Sequence, residues 1–289
     1  MTDPMVSATW LAGELGAPDL RVLHCMVALR SGDDGGYSIR AGRAEWESGH
    51  IPGSWLIDVA AELSDPGSDL DLMAPSRERI AAVMSAAGVG DGCRIVLYDA
   101  QMNIWAARVW WILRTIGVEA AVLDGGLVGW AADRRPIEVG PSEPPIPGAF
   151  TPGAPLDSFE EQEAVLAAID DTRTCLVDAL EPDVFRGRRQ DYDRPGHIPG
   201  ATNIPFATLV DPVTHRYLPM EELANKCARA MASERVITYC GAGAAASSVA
   251  LTLKRLGKHR VAVYDGSLIE WSKDPTLPMV TAPVDEEGR

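Results

Sequence analysis

Residues 235–257 read RVITYCGAGAAASSVALTLKRLG, and the rest of the chain is organised around this stretch. Its apolar run 236–239 is short and rich in β-forming residues, which predicts a buried strand. From Ala244 onward small residues lead into regularly spaced apolar ones, and Gly257 supplies a C-terminal stop, which predicts a helix. Cys240 stands between the strand and the helix.

The position of Cys240 predicts a reactive thiol. The first N–H groups of a helix lack partners within the helix and favour an anion, so the thiolate of Cys240 should form more readily than that of a free cysteine. The glycines that follow keep side chains out of the way, so backbone amides can surround whatever the sulfur carries. We therefore predict that Cys240 is a nucleophile. The predicted cradle consists of the amides of Gly241, Ala242, Gly243, Ala244, Ala245 and Ala246.

The overall charge is strongly acidic. The 289 residues include 41 Asp and Glu against 26 Lys and Arg, which gives a net charge of −15 at pH 7. Without a basic surplus to neutralise phosphates, we expect no general affinity for nucleic acid or for anionic membranes. No apolar run approaches membrane-spanning length. An anionic small substrate would therefore need a local positive pocket inside a negative protein.

Cysteine usage indicates a reducing compartment. The five cysteines, at positions 25, 93, 175, 227 and 240, form no C-x-x-C pair. Zinc ribbons and thioredoxin-type centres are therefore not expected, and we predict neither a metal nor a cofactor. The odd number of thiols and the lack of a signal-peptide pattern favour a cytoplasmic protein. The cysteines other than Cys240 are predicted to be structural.

One sequence pattern occurs twice. Three pairs of segments match: 47–54 with 194–201, 94–99 with 235–240, and 122–126 with 263–267. The last two pairs are separated by the same 141 residues, a period far too long for a solenoid. We therefore predict a duplicated domain. In this alignment Asp99 of the first copy matches Cys240 of the second.

Both copies predict the same order of strands and helices. Strands are predicted over 20–27 and 174–179, over 55–58 and 202–204, and in runs ending at 99 and 240 and at 124 and 265. Helices are predicted over 75–87 and 220–231, and over 103–116 and 244–256. Strands separated by helices predict an α/β fold in which each copy is a parallel sheet with helices on both faces. The expected division is a first domain at 1–138, a Pro- and Gly-rich linker at 139–156 and a second domain at 157–289.

Several motifs together carry a resemblance to a known family. They are the runs 107–114 (ARVWWILR), 176–179 (LVDA), 196–205 (GHIPGATNIP), 239–243 (YCGAG) and 264–267 (YDGS). In this arrangement the chain resembles the tandem rhodanese-type sulfurtransferases, which use thiosulfate or 3-mercaptopyruvate. The resemblance extends over residues 22–271.

The resemblance implies two tandem rhodanese-like domains with the chemistry in the second. Cys240 occupies the position where the family holds the transferred sulfur as a persulfide, whereas Asp99 cannot carry sulfur. The expected enzyme moves a sulfur atom from a small anionic donor, thiosulfate or 3-mercaptopyruvate, to a thiol or to cyanide. The alternative is a rhodanese-like sulfur-binding or regulatory module with little turnover.

The chain departs from the family pattern where substrate binds. The mercaptopyruvate-type loop has a Ser where this chain has Ala242, and the family's first-domain His and Asp align with Leu72 and Ala60. The substrate-binding arginine of the family is replaced by Val184. An arginine fork can hold a carboxylate with two hydrogen bonds, so a nearby arginine is expected to anchor the donor. The candidates are Arg186, Arg188 and Arg189.

Two other kinds of site share parts of the loop. Residues 241–246 satisfy the dinucleotide fingerprint G-x-G-x-x-A, and Asp265 ends the next strand. A nucleotide-binding domain needs further β-α units after that acid, but only 24 residues follow it. Cysteine phosphatases carry a phosphate-binding arginine six residues after the nucleophile, where this chain has Ala246. Both alternatives are therefore disfavoured.

Four polar residues beside the motifs have less certain roles on sequence alone. His50 and His197 occupy the same place in the repeated turn although only one copy has the cysteine, which favours a structural role. Asp178 and Asp265 end strands in the second copy. They are predicted either to orient the loop or to cap helices.

Overall fold

The computed structural model describes residues 3–31, 37–40 and 42–281. These fall into two compact units. The first unit comprises Met1–Ser158 together with Val210–Tyr217, and the second comprises Phe159–Leu209 and Leu218–Arg289.

The first unit contains a parallel sheet and a short hairpin. Its strands are β1 (Met5–Val6), β2 (Leu20–Met26), β3 (Ala28–Ser31), β4 (Tyr37–Arg40), β5 (Trp55–Asp58), β6 (Arg94–Tyr98) and β7 (Ala121–Leu123). Its helices are α1 (Ala8–Glu14), α2 (Arg43–Ser48), α3 (Val59–Glu62), α4 (Arg77–Ala86), α5 (Ile104–Thr115) and α6 (Gly126–Ala132). The sheet order is β1-β7-β6-β2-β5 with every pairing parallel, while β3 and β4 pair antiparallel.

The second unit repeats this design. Its strands are β8 (Phe159–Glu160), β9 (Thr174–Asp178), β10 (Thr202–Asn203), β11 (Arg235–Tyr239) and β12 (Val261–Tyr264). Its α-helices are α7 (Gln162–Ala168), α8 (Pro182–Phe185), α9 (Met220–Lys226), α10 (Ala228–Ala232), α11 (Ala244–Arg255) and α12 (Ser267–Trp271). The sheet order β10-β9-β11-β12-β8 is again parallel throughout. The predicted fold class, a duplicated α/β fold with parallel sheets, is confirmed.

The central strand and the helix after it are buried in both units. Residues 95–98 of β6 and 236–239 of β11 are all buried. Each following helix ends two residues before a glycine with positive φ, Gly117 at 80° and Gly257 at 88°. Such a conformation favours glycine and stops the helix at the predicted place. Buried strands of this kind gain most of their stability from removing apolar surface from water.

One helix differs from its prediction. The helix predicted over 220–231 is two helices, α9 and α10, because the backbone at Cys227 leaves the helical region (φ −95°, ψ 5°). Residues 139–158 form no helix or strand, and they are held to the first unit by hydrogen bonds such as that from the Thr151 amide to Asp91 (2.8 Å). Within the described ranges, no helix is long and apolar enough to cross a membrane.

Candidate active site

Cys240 lies at the carboxyl end of the central strand of the second unit. It follows β11 directly, and α11 begins four residues later at Ala244. The residue is only 2 % exposed. Strand and helix together place the sulfur beside the first turn of α11, where the amides have no partners within the helix.

Two glycines shape the loop for different reasons. Gly243 caps α11 with φ 73°, a left-handed conformation that favours glycine. Gly241 is required by space, because a Cβ built on it would overlap the hydroxyl of Tyr192 and lie 2.9 Å from the ring carbon Cζ. Any larger residue at position 241 would therefore displace Tyr192 or distort the loop.

Ser267 holds the loop from behind. The amides of Cys240 and Gly243 both donate to its Oγ, each at 3.2 Å, and the hydroxyl donates to the carbonyl of Tyr264 at 2.8 Å. Ser267 is fully buried and has φ 48°, a conformation unfavourable for a residue with a Cβ. A strained serine is retained here because its side chain satisfies two loop amides. The Gly243 amide, one of the predicted cradle, is thus engaged by Ser267.

The equivalent loop of the first unit shows what these amides can hold. Asp99 follows β6 as Cys240 follows β11, and its carboxylate is 2 % exposed. Burial raises its pKa, and hydrogen bonds from four backbone amides oppose that rise. The donors are Gln101 (2.7 Å) and Asn103 (3.0 Å) to Oδ1, and Trp105 (2.8 Å) and Ala106 (2.9 Å) to Oδ2. The loop of the first unit is therefore an anion cradle filled by its own aspartate.

The two loops differ in length by one residue. Three residues separate Asp99 from the left-handed cap of α5, Asn103 (φ 62°), whereas two separate Cys240 from Gly243. The backbone contact behind each loop is nevertheless the same. Leu127 donates to the Asp99 carbonyl at 2.8 Å, and Leu268 donates to the Cys240 carbonyl at 3.0 Å.

Asp178 is a buried acid next to the strand that carries the cysteine. It pairs with Tyr239 across β9 and β11 and is fully buried. Burial raises its pKa to about 7, while the hydrogen bond from the Leu180 amide (2.8 Å) and the nearby Tyr239 hydroxyl act in the opposite direction. The Asp178 carboxyl therefore changes charge near neutral pH.

The three candidate arginines lie around the end of α8. Arg186 is exposed, and Arg188 lies 3.9 Å from Asp183. Arg189 holds Asp191 with two hydrogen bonds, from Nε and Nη2, each at 2.9 Å. Asp191 directly precedes Tyr192, whose hydroxyl lies against Gly241 of the loop.

The two histidines of the repeated turn are tied to nearby backbone. His50 Nδ1 donates to the Trp46 carbonyl at 2.9 Å and the ring stacks on Trp46. His197 Nδ1 donates to the Phe185 carbonyl at 2.6 Å and its ring stacks on Phe185. Burial lowers the pKa of His197. These contacts are those of structural residues that fix the turn.

Sequence reasoning missed two residues that touch the loop. Ser267 was part of a repeated motif but had no predicted role, although the first copy has Gly126 at that position. Tyr192 lies outside every motif identified in the sequence. Neither lies near Cys240 in sequence, so local pattern gave no sign of their contact with the loop. Among the described residues, no group of three or more His, Cys, Asp and Glu is placed to hold a metal ion.

Comparisons with known proteins all find rhodanese-like proteins. The profile of the Rhodanese-like domain family matches residues 34–133 and 161–274. The 3-mercaptopyruvate sulfurtransferase of Escherichia coli K12 is 34 % identical over 281 residues, covering 95 % of this chain and 96 % of that protein. Thiosulfate/3-mercaptopyruvate sulfurtransferase 2 of Arabidopsis thaliana is 32 % identical, covering 96 % and 86 %.

The fold has a solved counterpart. The crystal structure of SseA from Escherichia coli, described as a 3-mercaptopyruvate sulfotransferase with the rhodanese fold, superimposes with a TM-score of 0.79 at 32 % identity. The match covers 92 % of this chain and 99 % of that one.

Proposed function

The chain belongs to the rhodanese-like domain family and is a sulfurtransferase, and from that premise we propose that Cys240 carries the transferred sulfur as a persulfide. The observation that carries the proposal is the contrast between the two loops. The cradle after β6 binds the carboxylate of Asp99 through four amides. The corresponding loop after β11 has a thiol in that position, and apart from the Cys240 and Gly243 amides, which Ser267 engages, its amides are proposed to serve an anion on sulfur.

The proposed reaction has two steps. In the first, the thiolate of Cys240 attacks the outer sulfur of the donor, a new S–S bond forms, and the bond from that sulfur to the donor breaks. The electron pair leaves with the donor fragment, which is sulfite from thiosulfate and the enolate of pyruvate from 3-mercaptopyruvate. In the second step a thiol or cyanide attacks the outer sulfur of the persulfide and releases the Cys240 thiolate. The loop amides stabilise the negative sulfur between the steps.

The donor that fits this loop best is 3-mercaptopyruvate. Thiosulfate is a dianion, whereas residues 241–246 offer amides but no cationic side chain. Mercaptopyruvate has one carboxylate, which a single arginine can hold. The relatives named for mercaptopyruvate support the same choice.

Arg189 is the arginine we assign to that carboxylate. Burial and nearby negative charges raise the pKa of Tyr192, and the charge of Arg189 acts weakly in the opposite direction, which places Arg189 in the neighbourhood of that side chain. Asp191 now occupies its fork and would have to yield to the substrate. Replacing Arg189 with Ala should raise KM for mercaptopyruvate about tenfold, the loss of one charged hydrogen bond. Asp191→Asn should lower KM, while Arg186→Ala and Arg188→Ala serve as matched controls.

Intact-protein mass spectrometry tests the nucleophile. Incubation with mercaptopyruvate or thiosulfate should add the mass of one sulfur atom, which cyanide or dithiothreitol removes. Cys240→Ser should not gain it, because a hydroxyl is a far poorer nucleophile at neutral pH. Cys93→Ser, which changes a partly exposed thiol of the first unit, should load normally. Sulfur loading by Cys240→Ser would move the chemistry elsewhere, and loading without product release would favour a sulfur-binding module.

We also propose a cytoplasmic setting, on the evidence of the cysteines. None of the five cysteines forms a disulfide bond, including the buried Cys25, Cys175 and Cys227. Reduced thiols and a proposed cysteine nucleophile suit a reducing compartment such as the cytoplasm.

A further inference from the structure

Tyr192 is the side chain that covers the cysteine loop. Its hydroxyl lies over the Cα of Gly241, so closely that a Cβ there would overlap it. The ring packs against the core cluster of the second unit, which includes Tyr239 and Trp271. The side chain of Gln190 donates to the carbonyls of Tyr192 and Asp193, each at 3.1 Å, and so steadies the backbone on both sides.

The hydroxyl of Tyr192 differs from those of the other tyrosines of this unit. Tyr239 accepts the Ile198 amide at 3.1 Å, and Tyr264 donates to Glu270 at 2.6 Å. Among the described residues, the Tyr192 hydroxyl has no hydrogen-bond partner, although the side chain is half-buried. The Tyr192 phenol is therefore open to donate a hydrogen bond to a ligand held in the cysteine loop.

Resting on the proposed role of Cys240, we infer that Tyr192 is a further catalytic residue whose hydroxyl donates a hydrogen bond to the sulfur anion carried by Cys240. Two loop amides, those of Cys240 and Gly243, are already engaged by Ser267. Tyr192 adds a side-chain donor at Gly241, a different position of the loop. A neutral phenol stabilises an anion without requiring a countercharge, which suits a loop that has no cationic side chain.

The electrostatics agree with a donor role. Burial raises the pKa of Tyr192, and the negative charge of Cys240 and of Asp191 adds to that rise. The phenol therefore keeps its proton at neutral pH and can only donate to an anion beside it.

The first test measures the thiolate directly. The rate of alkylation of Cys240 by iodoacetamide is followed against pH in the wild type and in Tyr192→Phe, which keeps the ring and removes the donor. The midpoint should move to higher pH by about one unit, and persulfide formation should slow about tenfold. Tyr98→Phe, the same chemical change in the first unit, should leave the alkylation midpoint unchanged. An unshifted midpoint in Tyr192→Phe overturns the inference.

The second test addresses the contact itself. Gly241→Ala should displace the hydroxyl, so adding Tyr192→Phe to that variant should slow persulfide formation no further. Additive losses in the double variant would show that the hydroxyl does not act at Gly241 and would overturn the inference. A different result tests the proposed function, which fails if the wild-type protein gains no sulfur at Cys240. In that case the pH profile of alkylation still tests the role of Tyr192.

Discussion

The loops after β6 and β11 are two versions of one anion cradle. In the first unit Asp99 fills the cradle with its own carboxylate and four amides bind it. In the second unit the same position holds a thiol, the loop is one residue shorter, and Ser267 and Tyr192 both contact it. The backbone of the first loop binds a permanent anion, the carboxylate of Asp99. Under the proposed function the second loop would bind an exchangeable anion carried on the sulfur of Cys240.

The residue behind the loop also differs in a way the geometry explains. Gly126 and Ser267 have similar backbone conformations, with φ of 52° and 48°. A Cβ at Gly126 would overlap the carbonyl oxygen of Asp99 and lie 3.2 Å from Asn103 Oδ1. The first unit therefore has no room for a serine, and its aspartate binds the amides instead.

The largest expected effect comes from making the active loop a copy of the inactive one. Cys240→Asp should abolish sulfur transfer, a loss of at least about 10³-fold, because a carboxylate cannot form a persulfide. The variant should stay folded, since the new carboxylate can accept hydrogen bonds from the loop amides that would otherwise face the sulfur. Product release measures the loss of sulfur transfer, and thermal unfolding measures whether the fold is kept. Residual transfer would show that a second nucleophile exists.

A second comparison concerns Asp178 and the residue in the equivalent strand position of the first unit, His24. His24 faces Tyr98 as Asp178 faces Tyr239. Because the folded pKa of Asp178 is about 7 against an unfolded value near 4, the folded state keeps a proton that the unfolded state has lost. The free energy of unfolding should therefore fall as pH rises from about 4 to about 7, by at most about 4 kcal/mol, and stay level above that window.

Asp178→Asn removes this pH dependence and tests it. Burial lowers the pKa of His24 to about 3, so His24 acts in the opposite direction, adding stability as pH rises from about 3 to about 6.5. The difference in the free energy of unfolding between variant and wild type, measured with denaturant at several pH values, isolates the contribution of the Asp178 carboxyl group. A difference that does not grow in favour of Asp178→Asn between pH 4 and pH 7 would contradict the assignment.

Emptying the cradle of the first unit should affect stability but not chemistry. Asp99→Ala leaves four amides without their acceptor, which should lower the free energy of unfolding by about 3 kcal/mol. The catalytic step should be unchanged, because Asp99 carries no sulfur. Thermal unfolding and sulfur loading of the same sample measure both. Loss of loading in a well-folded Asp99→Ala protein would show that the first loop takes part in the reaction.

The smallest expected effect exchanges the residue behind the loop. Ser267→Gly introduces the residue of the first unit and relieves the positive φ, but it removes the acceptor for two loop amides. Sulfur loading should slow about tenfold with little change in the melting temperature, because the gain in backbone freedom offsets part of the lost hydrogen bonding. A loading rate equal to that of the wild type would mean that the amides hold the loop without Ser267.

The sequence by itself determined the main elements and singled out Cys240 as the candidate nucleophile. Alternation and spacing of apolar residues depend on neighbours along the chain, so β6, β11, α5 and α11 were predictable to within a residue or two. The repeat identified a duplicated α/β fold, and the glycines after Cys240 singled out the loop. Each of these features is local or recurs at a fixed offset.

Only the tertiary structure decided what surrounds the loop. Tyr192 and Ser267 reach Cys240 from segments 48 residues before it and 27 residues after it, brought together by the order of strands in the sheet. The four amides on Asp99 depend on the exact course of a left-handed turn, and Val210–Tyr217 joins the first unit although it lies within the second repeat in sequence. Contacts between distant segments leave no period in the sequence, because they are set by how strands pair and side chains pack rather than by spacing along the chain.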